Sequence, residues 1–188
     1  MDNLYGKNIC FYYYGEDHLV MNLYKYVKQQ VQSNTCVYLY VDNSITNLLL
    51  SNLNEDEKDM VKSIDIPDLI ANNKLENVEI LSLPAKMANI KLKSIKNGFL
   101  GINFIFDSSK LLKSSYSDNF SEFLKDLSYT CEEFQINMLT CYDFLEYINR
   151  GKYVNETIMK MSYDYHDYRM FGNDIIPIEN FNVNSNLA

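Results

Sequence analysis

The 188-residue chain has no tryptophan, two histidines, three prolines and six glycines. Because glycine and proline are scarce and no long low-complexity stretch occurs, nothing in the sequence marks a linker between domains. The histidines, His18 and His166, are far apart, and the chain contains no HExxH, GxSxG or GxxxxGK[ST] motif. It therefore lacks the usual sequence signatures of zinc proteases, serine hydrolases and P-loop nucleotide-binding enzymes.

Long hydrophobic runs are also missing. No stretch approaches the roughly 20 apolar residues that span a bilayer, and the first ten residues, MDNLYGKNIC, do not resemble a secretory signal. The four cysteines form no CxxC pair and three lie in apolar runs, which favours reduced core thiols over disulfides or zinc ligands. They are Cys10, Cys36, Cys131 and Cys141. We therefore expect a cytoplasmic protein with no membrane insertion, metal or cofactor.

The charge of the chain is mostly negative. Acidic residues number 25 and basic residues 17, giving a net charge of −8 and a pI near 4.7. A nucleic acid would be repelled at long range unless the basic residues clustered on one face. The densest basic stretch, residues 86–96, has its lysines spaced as on a solvated helix surface. The sequence therefore predicts no direct binding of nucleic acid.

Apolar segments alternate with helix-period segments along the chain. We predict strands over residues 8–14, 36–43, 78–84, 102–107 and 136–144. We predict helices over 18–32 and from Ser44 through Leu53, followed by a further helical piece that ends at about Ile64 and a short helix after Pro67. The remaining predicted helices lie over 85–96, from about 120 to 134 and near 155–165, and an extended tail follows them. Strands that are continuously apolar are typical of a parallel sheet covered on both faces. The sequence therefore predicts a single α/β domain over 1–188, with three αβα layers and a mostly parallel central sheet, in which residues 6–181 form the fold and 182–188 a tail.

Polar residues follow the predicted strands, and ligands of open parallel sheets bind beyond the carboxyl ends of the strands. We expect a ligand-binding cleft there; its candidate residues are Tyr14, Glu16, Asp17, His18, Asp42, Asp107, Ser108, Tyr142 and Asp143. The alternative is structural, since chains emerge into solvent at strand ends and acids at a helix N-terminus are favoured by the helix dipole. A metal or a cationic ligand between Asp107 and Asp143 is a further alternative. His166, in SYDYHDYR, is predicted to be a packing or surface residue.

Three segments resemble one known family in order and spacing. They are GKNICFYYYGEDHLVMNLYKYVKQQVQSNTCVYLYVDN, IDIPDLIANNKLENVEILSLP and LTCYDFLEYINRGKYVNETIMKM. Together they resemble the MEDS sensory domain, named for methanogens, methylotrophs and the DcmR regulator, which is related to the KaiC and RecA ATPases. The resemblance covers about Gly6 to Phe181. It implies a RecA/KaiC-like fold and a regulatory role, with a histidine kinase or a transcription regulator as the protein partner.

The chain departs from the ATPase relatives where they bind phosphate. The Walker A loop would fall on residues 14–20, YGEDHLV, which lack Gly-Lys-Thr and place Glu16 and Asp17 where phosphate would be repelled. FIFDSSKLL resembles a Walker B strand with Asp107 in the acidic position, and Asp42-Asn43 replaces a Glu-Glu pair. We therefore predict a degenerate P-loop and a non-catalytic sensory protein that acts by protein contact, with a small ligand left open. The alternatives are a KaiC-like ATPase using Asp107 with Mg²⁺, and an oligomerising scaffold whose tyrosine-rich segment 163–171 is the interface.

Overall fold

One seven-stranded sheet organises the computed structural model, which describes residues 6–65, 82–114 and 119–178. The strands are β1 (Asn8–Tyr13), β2 (Thr35–Tyr40), β3 (Val61–Ser63), β4 (Gly101–Asp107), β5 (Asn137–Asp143), β6 (Tyr168–Phe171) and β7 (Asp174–Pro177). Their order in the sheet is β3-β2-β4-β5-β1-β6-β7. All neighbours are parallel except β6 and β7, which form an antiparallel hairpin.

Helices cover both faces of this sheet. They are α1 (Glu16–Gln32), α2 (Asn43–Ser51), α3 (Glu55–Lys58), α4 (Leu83–Lys96), α5 (Ser108–Lys113), α6 (Phe120–Phe134), α7 (Phe144–Ile148) and α8 (Glu156–Asp164). Because successive strand residues point to opposite faces, the odd residues of β1 pack in one core cluster with α1 and α2, and Cys10 and Tyr12 pack in another with α4, α6 and α8. The predicted three-layer α/β fold with a mostly parallel sheet is confirmed, and its RecA-like type is supported.

Two sequence predictions differ from the structure. The helical piece predicted up to Ile64 ends early, because residues 61–63 form β3, which pairs in parallel with Val37–Leu39 of β2. The strand predicted over 78–84 lies partly outside the described residues, and its last two positions, Leu83 and Pro84, begin α4 instead. Proline is well accommodated there, since the first turn of a helix needs no N–H from it. The piece after Pro67 and the tail at 182–188 lie outside the described residues.

The segment predicted as an extended tail is a β-hairpin. β6 pairs with β1, and the chain turns at Gly172, whose φ of +59° favours glycine, before β7 pairs back onto β6. Within the described ranges, no helix combines the length and apolar character needed to cross a membrane.

Strand register determines which residues meet at the carboxyl edge of the sheet. Tyr13 lies opposite Asp143 in the β1–β5 pair, and Asp107 lies opposite Cys141 in the β4–β5 pair. The last residues of β1, β4 and β5 therefore meet at one edge, although they lie far apart in the sequence.

Candidate functional site

Asp107 is the most deeply buried carboxyl group at the carboxyl edge. It ends β4 with only 3% of its surface exposed. Its Oδ1 accepts hydrogen bonds from the backbone N–H of Ser109, at 3.1 Å, and from the hydroxyl of Tyr13, at 3.3 Å. Both bonds end on Oδ1, which leaves Oδ2 without a donor from the described part of the chain. Asp107 can therefore take up a proton, a hydrogen-bond donor or a cation at Oδ2.

The electrostatic surroundings of Asp107 disfavour its ionised form. The pKa of this carboxyl is raised from 3.8 to about 6; burial is the largest cause and the nearby Asp42 carboxylate also raises it, while the bonds from Ser109 and Tyr13 lower it. Burial also raises the pKa of Tyr13, with the negative charge of Asp107 as the next cause. Tyr13 therefore stays protonated and remains the donor in this pair.

A second carboxylate, Glu146 of α7, joins this site to the loop between α7 and α8. Its Oε2 accepts a hydrogen bond from the Ser109 hydroxyl at 3.4 Å, and its Oε1 accepts one from the backbone N–H of Tyr153 at 2.9 Å. Gly151 packs so closely that a Cβ there would lie 2.0 Å from Cγ of Glu146. The loop is thus held against the same carboxylate that faces the Asp107 site. Glu146 was not predicted from the sequence, and Ser109, although it follows a predicted strand, was not among the candidate ligand-binding residues.

The turn between β1 and α1 places its acidic residues in solvent. Gly15 precedes the helix with φ of +81°, and Glu16 and Asp17 are exposed in the first turn of α1. His18 is half-buried, and its Nδ1 accepts a hydrogen bond from the backbone N–H of Tyr14 at 3.1 Å. These four predicted residues lie together, and the turn presents carboxylates where a phosphate-binding loop would present a lysine.

The other predicted site residues have different positions. Tyr142 is fully buried on the opposite face of the sheet, 5.8 Å from both the Tyr12 and His166 rings. Ser108 is also fully buried. Neither exposes a side chain to a cleft. For Tyr142 the cause is the alternation along β5, which directs its side chain away from the face that Asp143 shares.

Asp42 and Asp143 each occupy the N-cap position of a helix at the edge, but only the Asp143 side chain makes capping hydrogen bonds. Asp42 is exposed and precedes α2, and its negative charge is close enough to raise the pKa of Asp107. Asp143 is half-buried, and its Oδ1 accepts hydrogen bonds from the backbone N–H groups of Leu145 and Glu146, at 3.0 and 3.1 Å. The capping alternative accounts for Asp143, since both bonds satisfy orphan donors of α7.

An exposed apolar surface lies beside the acidic turn. Tyr14, Leu145 and Ile148 expose 49%, 40% and 55% of their surfaces. The half-buried Phe144 connects them, with ring centroids 5.1 Å from Tyr14 and 5.5 Å from Tyr147. We call these five residues the edge patch. The sequence analysis missed it, although an apolar stretch directly after a capping aspartate was a usable signal.

A cavity of about 530 Å³ adjoins the edge patch. Its lining residues come from the end of α7, the following loop and the start of α8: Tyr147, Ile148, Arg150, Gly151, Asn155 and Glu156. The edge of the sheet thus combines a buried carboxyl, an apolar surface and a cavity within one connected region.

The cysteines and acidic side chains of the described ranges do not form a metal site. All four cysteines are buried and free, as the sequence predicted for core thiols. Over residues 6–65, 82–114 and 119–178, no group of three or more His, Cys, Asp or Glu side chains is arranged to hold a metal ion.

Comparison with protein-family models gives no match for this chain, and comparison with curated proteins gives none either. The resemblance to the MEDS sensory domain therefore stays a prediction from the sequence.

Proposed function

We propose that this chain is a non-catalytic regulatory protein of signal transduction or transcription control, which acts by binding another protein at the carboxyl edge of its sheet. The observation that carries this proposal is the edge patch, where Tyr14, Leu145 and Ile148 are exposed and the Phe144 ring packs against Tyr14, which precedes the turn that carries Glu16 and Asp17. Clustered exposed apolar groups with a polar border are typical of protein-binding surfaces. By the family resemblance, a cytoplasmic histidine kinase or a transcription regulator is the expected partner.

The acidic turn supports the non-catalytic part of the proposal. Binding of a triphosphate needs stacked backbone N–H groups and a cation close to the phosphates. Here Glu16 and Asp17 extend from that position, and residues 14–20 contain no lysine or arginine. The second candidate, a KaiC-like ATPase, is favoured by one observation, the buried Asp107 at the end of β4.

The protein-binding proposal is tested by affinity capture from the native cell. The edge variant Tyr14→Ser/Leu145→Ser/Ile148→Ser is compared with the parent and with a matched control, Leu92→Ser/Ile95→Ser/Leu100→Ser, which removes three other exposed apolar side chains. We expect a signalling or transcription protein to be retained by the parent and the control and lost from the edge variant. Retention by all three proteins would show that the edge patch is not the docking surface.

The ATPase candidate is tested by thermal shift with MgATP. A ligand at 100 times its Kd stabilises a protein by about 2.7 kcal/mol, so a nucleotide-binding protein would show a clear rise in Tm. We expect no rise. A rise that disappears in Asp107→Ala would favour the ATPase.

The scaffold alternative is tested by size-exclusion chromatography, where a dimer that dissociates in Tyr168→Ser/Phe171→Ser would support it.

A further inference from the structure

The cavity between α7 and α8 is lined by side chains of both charges. Arg150 and Glu156 each contribute to its wall, and Tyr147 and Ile148 supply an apolar surface beside them. Neither charged residue takes part in the salt bridges that join described residues, which are Lys28–Glu57 and Lys58–Glu55. The volume of about 530 Å³ lies in the range of roughly 300–1,000 Å³ that is usual for small-molecule sites.

Arg150 is held in a backbone conformation that favours another residue. It follows the end of α7 with φ of +54°, and the turn is closed by hydrogen bonds from its own N–H to the Tyr147 carbonyl and from the Gly151 N–H to the Glu146 carbonyl, at 3.1 and 2.7 Å. Glycine is the residue preferred at such a helix C-terminal position, because it adopts positive φ without strain. Arginine is therefore present here at a conformational cost, and this exposed residue is one of those that line the cavity.

We propose that this cavity binds a small zwitterion with an apolar body, of the chemical class of a free apolar amino acid. In this assignment the carboxylate of the ligand binds Arg150, whose fork of N–H donors matches carboxylate geometry. The ammonium group binds Glu156, and the apolar body contacts Tyr147 and Ile148. An anion alone would be repelled by Glu156, and a cation alone by Arg150, so a ligand with both charges fits this lining best.

The location of the cavity gives the ligand a route to the edge patch. Tyr147 and Ile148 belong to both surfaces, and Glu146 fixes the cavity loop while it accepts a bond from Ser109. A ligand packed against Tyr147 and Ile148 therefore changes the surface offered to a partner. Only the effect of the ligand on partner binding rests on the proposed function. Binding of the amino acid itself does not, because it is measured without a partner protein.

Calorimetric titration of the full chain tests the assignment with defined probes. L-Phenylalanine, L-leucine and L-methionine are the zwitterions; 3-phenylpropionate lacks the ammonium group of phenylalanine, and phenethylamine lacks its carboxylate. We expect at least one amino acid to bind, and both single-charge probes to bind at least about tenfold more weakly than that amino acid. Absence of binding by all three amino acids at about 1 mM, the weak end of the Kd scale, would overturn the proposal, as would equal binding of 3-phenylpropionate and phenylalanine.

Variants then locate the site. Arg150→Gly and Glu156→Gln should each weaken amino-acid binding at least about tenfold, whereas Lys152→Gln, which changes a charge in the same loop outside the cavity lining, should not. Arg150→Gly should unfold at the same Tm or a higher one, because glycine relieves the positive φ, so its loss of binding cannot be attributed to unfolding. Unchanged binding in both cavity variants would refute the site. If no amino acid binds but partner capture still depends on the edge patch, the proposed function stands without this inference. If an amino acid binds in the cavity but partner capture does not depend on the edge patch, this inference stands without the proposed function.

Discussion

Replacing Asp107 by asparagine is expected to stabilise the protein at neutral pH. Asparagine keeps an oxygen that can accept the hydrogen bonds from Ser109 and Tyr13, but it carries no charge in a site with 3% exposure. Burial raises the pKa of Asp107 from 3.8 to about 6. Each pH unit between the two values corresponds to about 1.4 kcal/mol, so ionised Asp107 costs the folded state about 3 kcal/mol above pH 6.

The sign of the pH dependence follows from proton binding. Below about pH 4 the carboxyl is protonated in both the folded and the unfolded state, and the cost is absent. As the pH rises from about 4 to about 6, the unfolded state releases its proton first, and the free energy of unfolding falls. The cost is complete at pH 7. Asp107→Asn should therefore gain about 1–3 kcal/mol of stability near pH 7.5 and little or nothing near pH 4.

Urea unfolding followed by circular dichroism checks this expectation, since the chain has no tryptophan to report by fluorescence. Unfolding is measured near pH 4 and near pH 7.5 for the parent, Asp107→Asn and the control Asp17→Asn, whose carboxylate is exposed at the same edge. The control should change stability little at either pH. A loss of stability in Asp107→Asn near pH 7.5 would refute the reasoning, because it would mean that the folded state does not disfavour the ionised carboxyl.

Three further predictions concern His166, Gly151 and Tyr12. Burial lowers the pKa of His166 from 6.5 to about 4. The folded state therefore favours neutral His166, and up to about 3 kcal/mol of the free energy of unfolding is lost as the pH falls from 6.5 to about 4. In urea unfolding across that pH range, His166→Gln should not show this loss. Gly151→Ala should lower the free energy of unfolding by about 1–3 kcal/mol, because its Cβ would lie 2.0 Å from Cγ of Glu146. Tyr12→Phe removes a hydroxyl 2.6 Å from the Ser162 hydroxyl and should cost about 1 kcal/mol by the same measurement.

Much of the fold could be predicted because its long elements carry strong periodic patterns. β1, β2, β4 and β5 are apolar runs, and the faces of α1 and α6 repeat at the helix period. β3 has three residues, too few to show any period. The hairpin could have been predicted, because the pair Gly172-Asn173 is a recognised turn signal and lies between two apolar stretches.

Only part of the site could be predicted from the sequence. Residues at strand ends could be named, but their partners depend on register between strands that are distant in sequence. The bond from Tyr13 to Asp107 crosses 94 positions, and the bond from Ser109 to Glu146 crosses 37. The fully buried position of Tyr142 was accessible, because a two-residue period places it on the face opposite to that of Asp143.

The interior position of β1 in the sheet has a consequence for how the chain folds during synthesis. Of the described strands, β1 leaves the ribosome first, yet its hydrogen-bonded neighbours, β5 and β6, follow more than a hundred residues later. Such distant pairings fold slowly and leave nascent strands open to association with other chains. A truncation before Tyr168 would leave one side of β1 permanently bare, and we expect it to aggregate where the longer chain does not.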